Sequence, residues 1–361
     1  MKTLTRSHRS GTDAASQGSS IGGRPPRSRA PMTTTGIIYV VLALVVVVGA
    51  VLTATQGRNF FSVTNISAIL TALSVLGFIS IGQTLVILAG SLDLSVPYVV
   101  SLSSLVGGGV MAGRSENIVQ GVALALLVSA GIGLVIGLLV TVLDVHGFVA
   151  TLGIGLVVSG YLAVNYQGSS GSAPRDFRLI GITRIGILPI STLIMLVIAA
   201  LVIVLLRRTR LGHHLYAVGG NREVARMSGI RTATPVIVAH VLCSTLAGMA
   251  GLLLLARLSV GSPTIGSQGR YDLLSIAAVV LGGSLLAGGK GSILGTLGGV
   301  AIFAVLDSTM DVMSVNAFIQ DVIRGLVIVL AVAVYARRSM ARRPARFDRP
   351  TGVKAVLKEA Q

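Results

Sequence analysis

The sequence has no tryptophan, a single cysteine and few ionisable side chains, since charged residues make up 11% of its 361 positions against about 25% in globular chains. That supply is too thin to coat the surface of one or two soluble domains. With 53% hydrophobic residues and a mean hydropathy of +0.86, the chain must be solvated largely by lipid. An aromatic share of 4% leaves little material for stacking on bases, so the net charge of +17 does not point to nucleic acid. The lone Cys243, set in an apolar run, excludes an intrachain disulfide and any multi-cysteine metal site; it reads as a small buried side chain.

Motifs for chemistry are missing too. The GGKGS run at 288–292 looks like a phosphate loop, but Ser284 stands where a Walker A motif needs its opening glycine and Gly291 where it needs Ser or Thr. His8, His146, His213, His214 and His240 show no HExxH spacing and read as ordinary loop or helix-end residues. The chain is therefore expected to be no enzyme and to carry no metal or cofactor of its own.

What the sequence does contain is apolar runs. Crossing about 30 Å of hydrocarbon takes about 20 helical residues, and ten runs of roughly that size stand between polar or glycine-rich breaks, at 36–54, 68–89, 94–112, 118–143, 148–166, 187–206, 235–256, 273–287, 293–310 and 319–335. The third, eighth and ninth are weakest, diluted by Ser and Gly. The expectation is an all-α polytopic bundle at 35–336, flanked by a disordered basic tail at 1–34 and a basic tail at 337–361. The first run is longer than a signal-peptide core and reads as an uncleaved membrane helix. Placing the N-terminus in the cytoplasm puts 21 of the 29 basic residues inside and seven outside, with Arg324 within the last run. This is the bias of an N-in, C-in protein. Small residues at four-residue spacing, Ser129, Gly133 and Gly137, then Gly291, Gly295 and Gly299, are expected to serve packing between helices of the same chain.

Ionisable residues inside membrane runs are the default functional candidates, and they are few: Asp307, Asp321 and Arg324, with Asp93, Asp144, Asp272 and Asp311 at the edges. Asp321 and Arg324 share a helix face and can pair. So thin a supply weighs against an ion-coupled carrier, whose coupling ion usually needs buried acids.

The long inside loop, 207–235, holds the punctuation of a short helix. Asn221 is suited to the N-cap, Glu223 to the first turn, Arg226 to the end and Gly229 to a left-handed stop. A helix this short is marginal alone in water. Its apolar face, with Val224 and Met227 three apart, needs a surface to dock on: the membrane, its own bundle or a partner.

Four runs in order, GQTLVILAGSLDLSVP (82–97), GFVATLG (147–153), AVGGNREVARMSGI (217–230) and AAVVLGGSLLAGGKGSILGTLGG (277–299), resemble the signatures of ribose-type sugar permeases, membrane subunits of bacterial ATP-binding-cassette (ABC) importers. The similarity extends over about 65–335 and leaves out the tails. It implies a type II-like permease in the plasma (inner) membrane. The permease pairs with a second copy or a paralogue, works with a separate ATPase subunit that binds the ATP, and receives a monosaccharide or polyol from an extracytoplasmic binding protein. The resemblance makes Asn221, Arg222, Glu223, Val224, Ala225, Arg226, Met227, Ser228 and Gly229 the coupling helix, with Val224, Ala225 and Met227 giving apolar contact and the charged residues the rim. Gln83, Asp93, Ser95, Thr151 and Asn165 are candidates for the translocation path or gate, Asp93 also as a cap for the third helix. Pro97 stands where the family has glycine, and Asp307 where an uncharged residue is expected. A branched-chain amino-acid permease and an ion-driven carrier are the rival readings.

Outside loops are normally depleted in cations, yet Arg175, Arg178, Arg184, Arg257 and Arg270 lie there, suited to acidic residues on a binding protein. Reversing the charge at Arg175 and Arg178 is expected to weaken docking of the loaded binding protein and flatten its salt dependence, measured by binding to the reconstituted permease; an unchanged salt-dependent affinity would remove the assignment.

Overall fold

Residues 34–341 are described by the computed structural model, and each of the ten apolar runs contains a helix. In chain order the long elements are α1 (Thr34–Thr55), α2 (Val63–Leu88), α3 (Val96–Met111), α4 (Ile118–Thr141), α5 (Gly147–Asn165), α7 (Ile190–Arg208), α10 (Ala233–Leu258), α12 (Tyr271–Leu281), α13 (Ile293–Val312) and α14 (Ala317–Ala341). Shorter pieces lie between them: α6 (Arg175–Ile182), α8 (Arg210–Gly220), α9 (Arg222–Met227), α11 (Ile265–Gln268), and a hairpin of β1 (Arg184–Ile185) and β2 (Leu188–Pro189). Of the basic cytoplasmic tails expected at 1–34 and 337–361, Thr34 opens α1 and 337–341 continue α14, while 1–33 and 342–361 lie outside the described residues.

Seven helices among the described residues, α1, α2, α4, α5, α7, α10 and α13, are long and apolar enough to cross a membrane. The eighth and third runs depart from their expected length, because α12 has 11 residues and α3 has 16. Their Ser- and Gly-rich flanks leave the helix: 89–95 is irregular before α3, and a loop at 282–292 follows α12. The ninth run, α13, is by contrast of full length at 20 residues.

Burial sorts the helices into two layers. α2, α10 and α13 bury 83%, 67% and 67% of their apolar windows, whereas α1, α4, α5 and α7 bury 17–33% and leave rows of Leu and Val at the surface. In lipid such a surface costs nothing, so helix association rests on close packing. The small residues provide it. α4 lies against α10 because Gly133 and Gly137 have no side chain; a Cβ at Gly133 would sit 2.5 Å from the His240 carbonyl oxygen, and one at Gly137 2.8 Å from Ile237 Cα. Gly295 and Gly299 likewise meet Gly282 and Ala278 of the α12 segment. Both small-residue series therefore pack within the chain, as expected.

Gly133→Leu should force α4 off α10, an overpacking cost of about 1–3 kcal/mol, and lower the thermal unfolding midpoint in detergent. Gly131→Leu, on the same helix with open space around it, should leave the midpoint unchanged.

Candidate coupling and translocation site

Between α2 and α3 the chain stops being helical while still inside the bundle. Ser91, Asp93 and Ser95 of this break are buried, so its backbone needs protein partners in place of water. Gln83, one turn before the end of α2 and fully buried, supplies two. With its amide oriented to satisfy both contacts, its nitrogen donates to the Asp93 carbonyl at 3.2 Å and its oxygen accepts from the Asp93 N–H at 3.1 Å. Thr151 of α5 donates to the Leu92 carbonyl at 3.3 Å. The Asp93 carboxylate turns inward: Oδ1 accepts from the Ser95 N–H (2.9 Å) and the Ser95 hydroxyl (2.6 Å). This is an Asx turn at the mouth of α3, so Asp93 caps the residue before the helix and not the first-turn N–H groups themselves. Pro97 falls in the first turn of α3, where its missing N–H is no loss.

His240 is where the sequence reading needs correction. It is no loop or helix-end residue but a fully buried member of α10, its Nε2 lying 3.2 Å from Ser91 Oγ. Its Nδ1 faces Asp93 Oδ2 at 3.5 Å, and neither atom has a hydrogen-bond partner. A titratable side chain in an apolar run is the signal that marks it.

The break is tied to the 207–235 segment. α9 is built as its sequence punctuation predicts: Asn221 Oδ1 accepts from the Val224 N–H at 3.0 Å, Ser228 donates to the Val224 carbonyl, and Gly229 ends the helix at φ +79°. Val224 is 57% exposed and Met227 86%, whereas Ala225 is 3% exposed and packs into the main core. Ala225 therefore faces its own bundle and offers no contact to a partner, because a helix seated on the bundle must turn one apolar residue inward. Immediately before α9, Gly219 touches both neighbouring segments. Any Cβ there would overlap the Leu88 carbonyl oxygen and approach the Gly289 nitrogen to 2.7 Å. That Leu88 oxygen accepts from the Gly289 N–H at 3.1 Å. The GGKGS run is thus a structural loop between α8 and the break. The Tyr216 hydroxyl adds a bond to the Gly291 carbonyl at 3.0 Å. Burial pushes its phenol above the ordinary value, with Arg207 acting the other way, which keeps it a donor. Arg222 of α9 reaches Asp144 in the α4–α5 loop at 3.4 Å, at the rim of a cavity of about 460 Å³ that Gly90, Ser91, His146 and Gly219 also line.

Other expected residues lie elsewhere. Asn165 sits at the far end of α5, exposed and bonded to the Tyr161 carbonyl, and does not join Gln83, Asp93, Ser95 and Thr151. Arg175 and Arg178 lie on the exposed face of α6, which buries Phe177 and Gly181, and Arg184 is exposed in the hairpin. α6 packs on the end of α10, where Gly181 meets the Ala256–Arg257 backbone. Arg270 instead pairs with Asp321 at 2.9 Å, and Arg324 bridges Asp321 (3.1 Å) and Asp307 (2.8 Å). No group of three or more His, Cys, Asp or Glu among the described residues is placed to hold a metal.

Comparison with known proteins places this architecture. Residues 65–332 match the family described as branched-chain amino acid transport system / permease component. The chain belongs to this family. Among its curated relatives, the ribose import permease protein RbsC of Escherichia coli K12 is 38% identical over 298 residues, 81% of this chain and 91% of the relative. RbsC of Bacillus subtilis 168 is 34% identical, covering 78% and 87%. The galactose/methyl galactoside import permease protein MglC of Escherichia coli K12 is 31% identical, covering 84% and 95%. No solved structure gives a significant match. The matched region takes in the α2–α3 break, α9 and the loop at 282–292, so the membrane-permease core of the family includes the whole site.

Gln83→Leu keeps similar bulk but leaves the Asp93 N–H and C=O unpaired, at about 1–3 kcal/mol for each buried group. The variant should unfold at lower temperature in detergent, and an unchanged midpoint would show that other contacts hold the break.

Proposed function

We propose that the chain is the permease subunit of an ABC importer that carries a monosaccharide, or a related polyol, across the inner membrane. The reading is carried by its similarity to ribose and galactose import permeases over nearly their whole length. The family description names amino acids, and an amino-acid cargo is the second reading. It is disfavoured because the relatives compared above, which match along most of the chain, are sugar permeases.

In this proposal ten helices cross the membrane with both tails in the cytoplasm, which follows from the charge bias. A second permease copy or a paralogue completes the path, lipid covers the outer helices, and a separate ATPase subunit binds α9. Support for the last point comes from the exposed Val224 and Met227 side chains, flanked by Arg222, Glu223 and Arg226. A charged ATPase groove with an apolar floor suits that surface. When the ATPase closes, it pulls α9; the close contacts of Gly219 pass the displacement to Leu88 and the break, and Gln83, Asp93, Ser95 and Thr151 act as the gate. An extracytoplasmic binding protein delivers the solute to the opposite face, where Arg175, Arg178, Arg184 and Arg257 are free to meet acidic residues on its lobes. Arg270, already paired with Asp321, contributes less.

The test is reconstitution with the cognate ATPase and binding protein. Val224→Asp or Met227→Asp should cut uptake at least tenfold at normal protein levels in the membrane, with ATP hydrolysis no longer linked to transport. Normal uptake by both variants would remove the coupling assignment. Uptake of leucine but of no sugar by the unaltered chain would establish the second reading.

A further inference from the structure

A second cavity, of about 240 Å³, lies between α2, α12, α13 and α14. Its α2 lining, Ala72, Val75 and Leu76, comes from the part of that helix remote from Leu88, where Gly219 makes its contact. With Arg257 of the last turn of α10 also in its wall, the cavity lies in the half of the bundle away from α9. In the orientation proposed above, that is the half where solute arrives.

Its walls combine an apolar floor with convergent polar groups. Tyr271 and Asp307 stand deeper, and Arg257 and Gln268 are exposed at the mouth. Asp307 uses Oδ1 for Arg324; among the described residues its Oδ2, the Tyr271 hydroxyl and the Gln268 amide are given no hydrogen bond by the protein. These groups are open to solvent, and an acceptor, a hydroxyl and an amide converging on one small space can together bind a ligand rich in hydroxyl groups. Charge points the same way. Asp307 and Asp321 are balanced by Arg324 and Arg270, which leaves the interior neutral with one cation, Arg257, at the rim. The volume is below the ~300–1,000 Å³ of pockets for drug-sized ligands and suits a single ring. Asp307, unexpected by comparison with the sugar-permease signatures, has a use here as an acceptor fixed by Arg324.

We propose that this cavity is an entry subsite for one uncharged monosaccharide, holding the solute between its release by the binding protein and its passage towards the α2–α3 break. Tyr271, Gln268 and Asp307 read the hydroxyl groups, and Arg324 positions Asp307. The proposal rests on the monosaccharide reading above.

The test uses the full importer in proteoliposomes, with radiolabelled D-ribose and D-galactose and their monodeoxy analogues as probes, at saturating loaded binding protein. Tyr271→Phe removes only the hydroxyl, and Gln268→Ala lies at the exposed mouth, where folding is least at risk. Each should lower the maximal uptake rate about 3- to 10-fold, the range of one lost hydrogen bond. For each variant one monodeoxy analogue should show no further loss, because the group it lacks is the one the variant no longer reads. Wild-type rates in both variants, or an equal loss with every analogue, would overturn the subsite while leaving the monosaccharide reading intact. A faster uptake of a sugar acid than of either neutral sugar, lost in Arg257→Ala, would overturn the uncharged ligand. If the unaltered chain carries leucine and no sugar, the monosaccharide reading fails and the subsite with it.

Discussion

Backbone that leaves a helix inside a membrane bundle loses its regular partners, so the N–H and C=O groups at the buried positions of the break, Ser91, Asp93 and Ser95, depend on partners from the protein. The Gln83 amide, paired in both directions with the Asp93 peptide, is the contact on which the rest of the site depends. It pairs both the N–H and the C=O of Asp93 in the stretch where α2 has stopped at Leu88 and α3 has not yet begun at Val96. That interruption shortens α3, directs the Asp93 carboxylate towards His240, and brings Gly90 to the surface of α8. A continuous helix through these residues would leave α8 and the 282–292 loop nothing to grip.

A chain of contacts without slack runs from the exposed α9 surface to this break. Each link is short because a side chain is missing: Gly219 against Leu88, and Gly288 against Gly90 and Gly219. Packed interfaces of this kind are poorly compressible, so a displacement of α9 must be passed on or resisted. Where it arrives, Asp93 Oδ2 and His240 Nδ1 face each other without a completed hydrogen bond, in an arrangement that a small shift of either helix would make or break. At the other end of the bundle the Arg324 cluster joins α13 and α14 with ion pairs, not glycine contacts.

Much of this was legible in the sequence wherever the rule is local. Hydropathy located all ten helices, and Asn221 and Gly229 marked the ends of α9, because caps and left-handed stops are decided within a few residues. The lengths of α3 and α12 were not legible, since whether a Ser- or Gly-rich flank stays helical depends on what packs beside it. Ala225 looked like a partner contact until the seating of α9 on the bundle turned it inward. His240 escaped notice because its partners, Ser91 and Asp93, belong to a different helix pair, and Asn165 was grouped with the gate only because nothing in one dimension separates the two ends of α5. The Arg270–Asp321 and Arg324–Asp307 pairs are likewise tertiary facts, although the Asp321–Arg324 pair three residues apart could be read directly.

Transmission from α9 to the break is most directly tested by hydrogen–deuterium exchange on the full importer with its ATPase, comparing the ATP-bound and nucleotide-free states. If the glycine contacts carry the motion, amides of 88–95 and 288–292 change their exchange together with those of 219–230, and Gly219→Ala abolishes the change at 88–95 while leaving that at α9. A change confined to 219–230, with 88–95 exchanging identically in both states, would contradict the linkage.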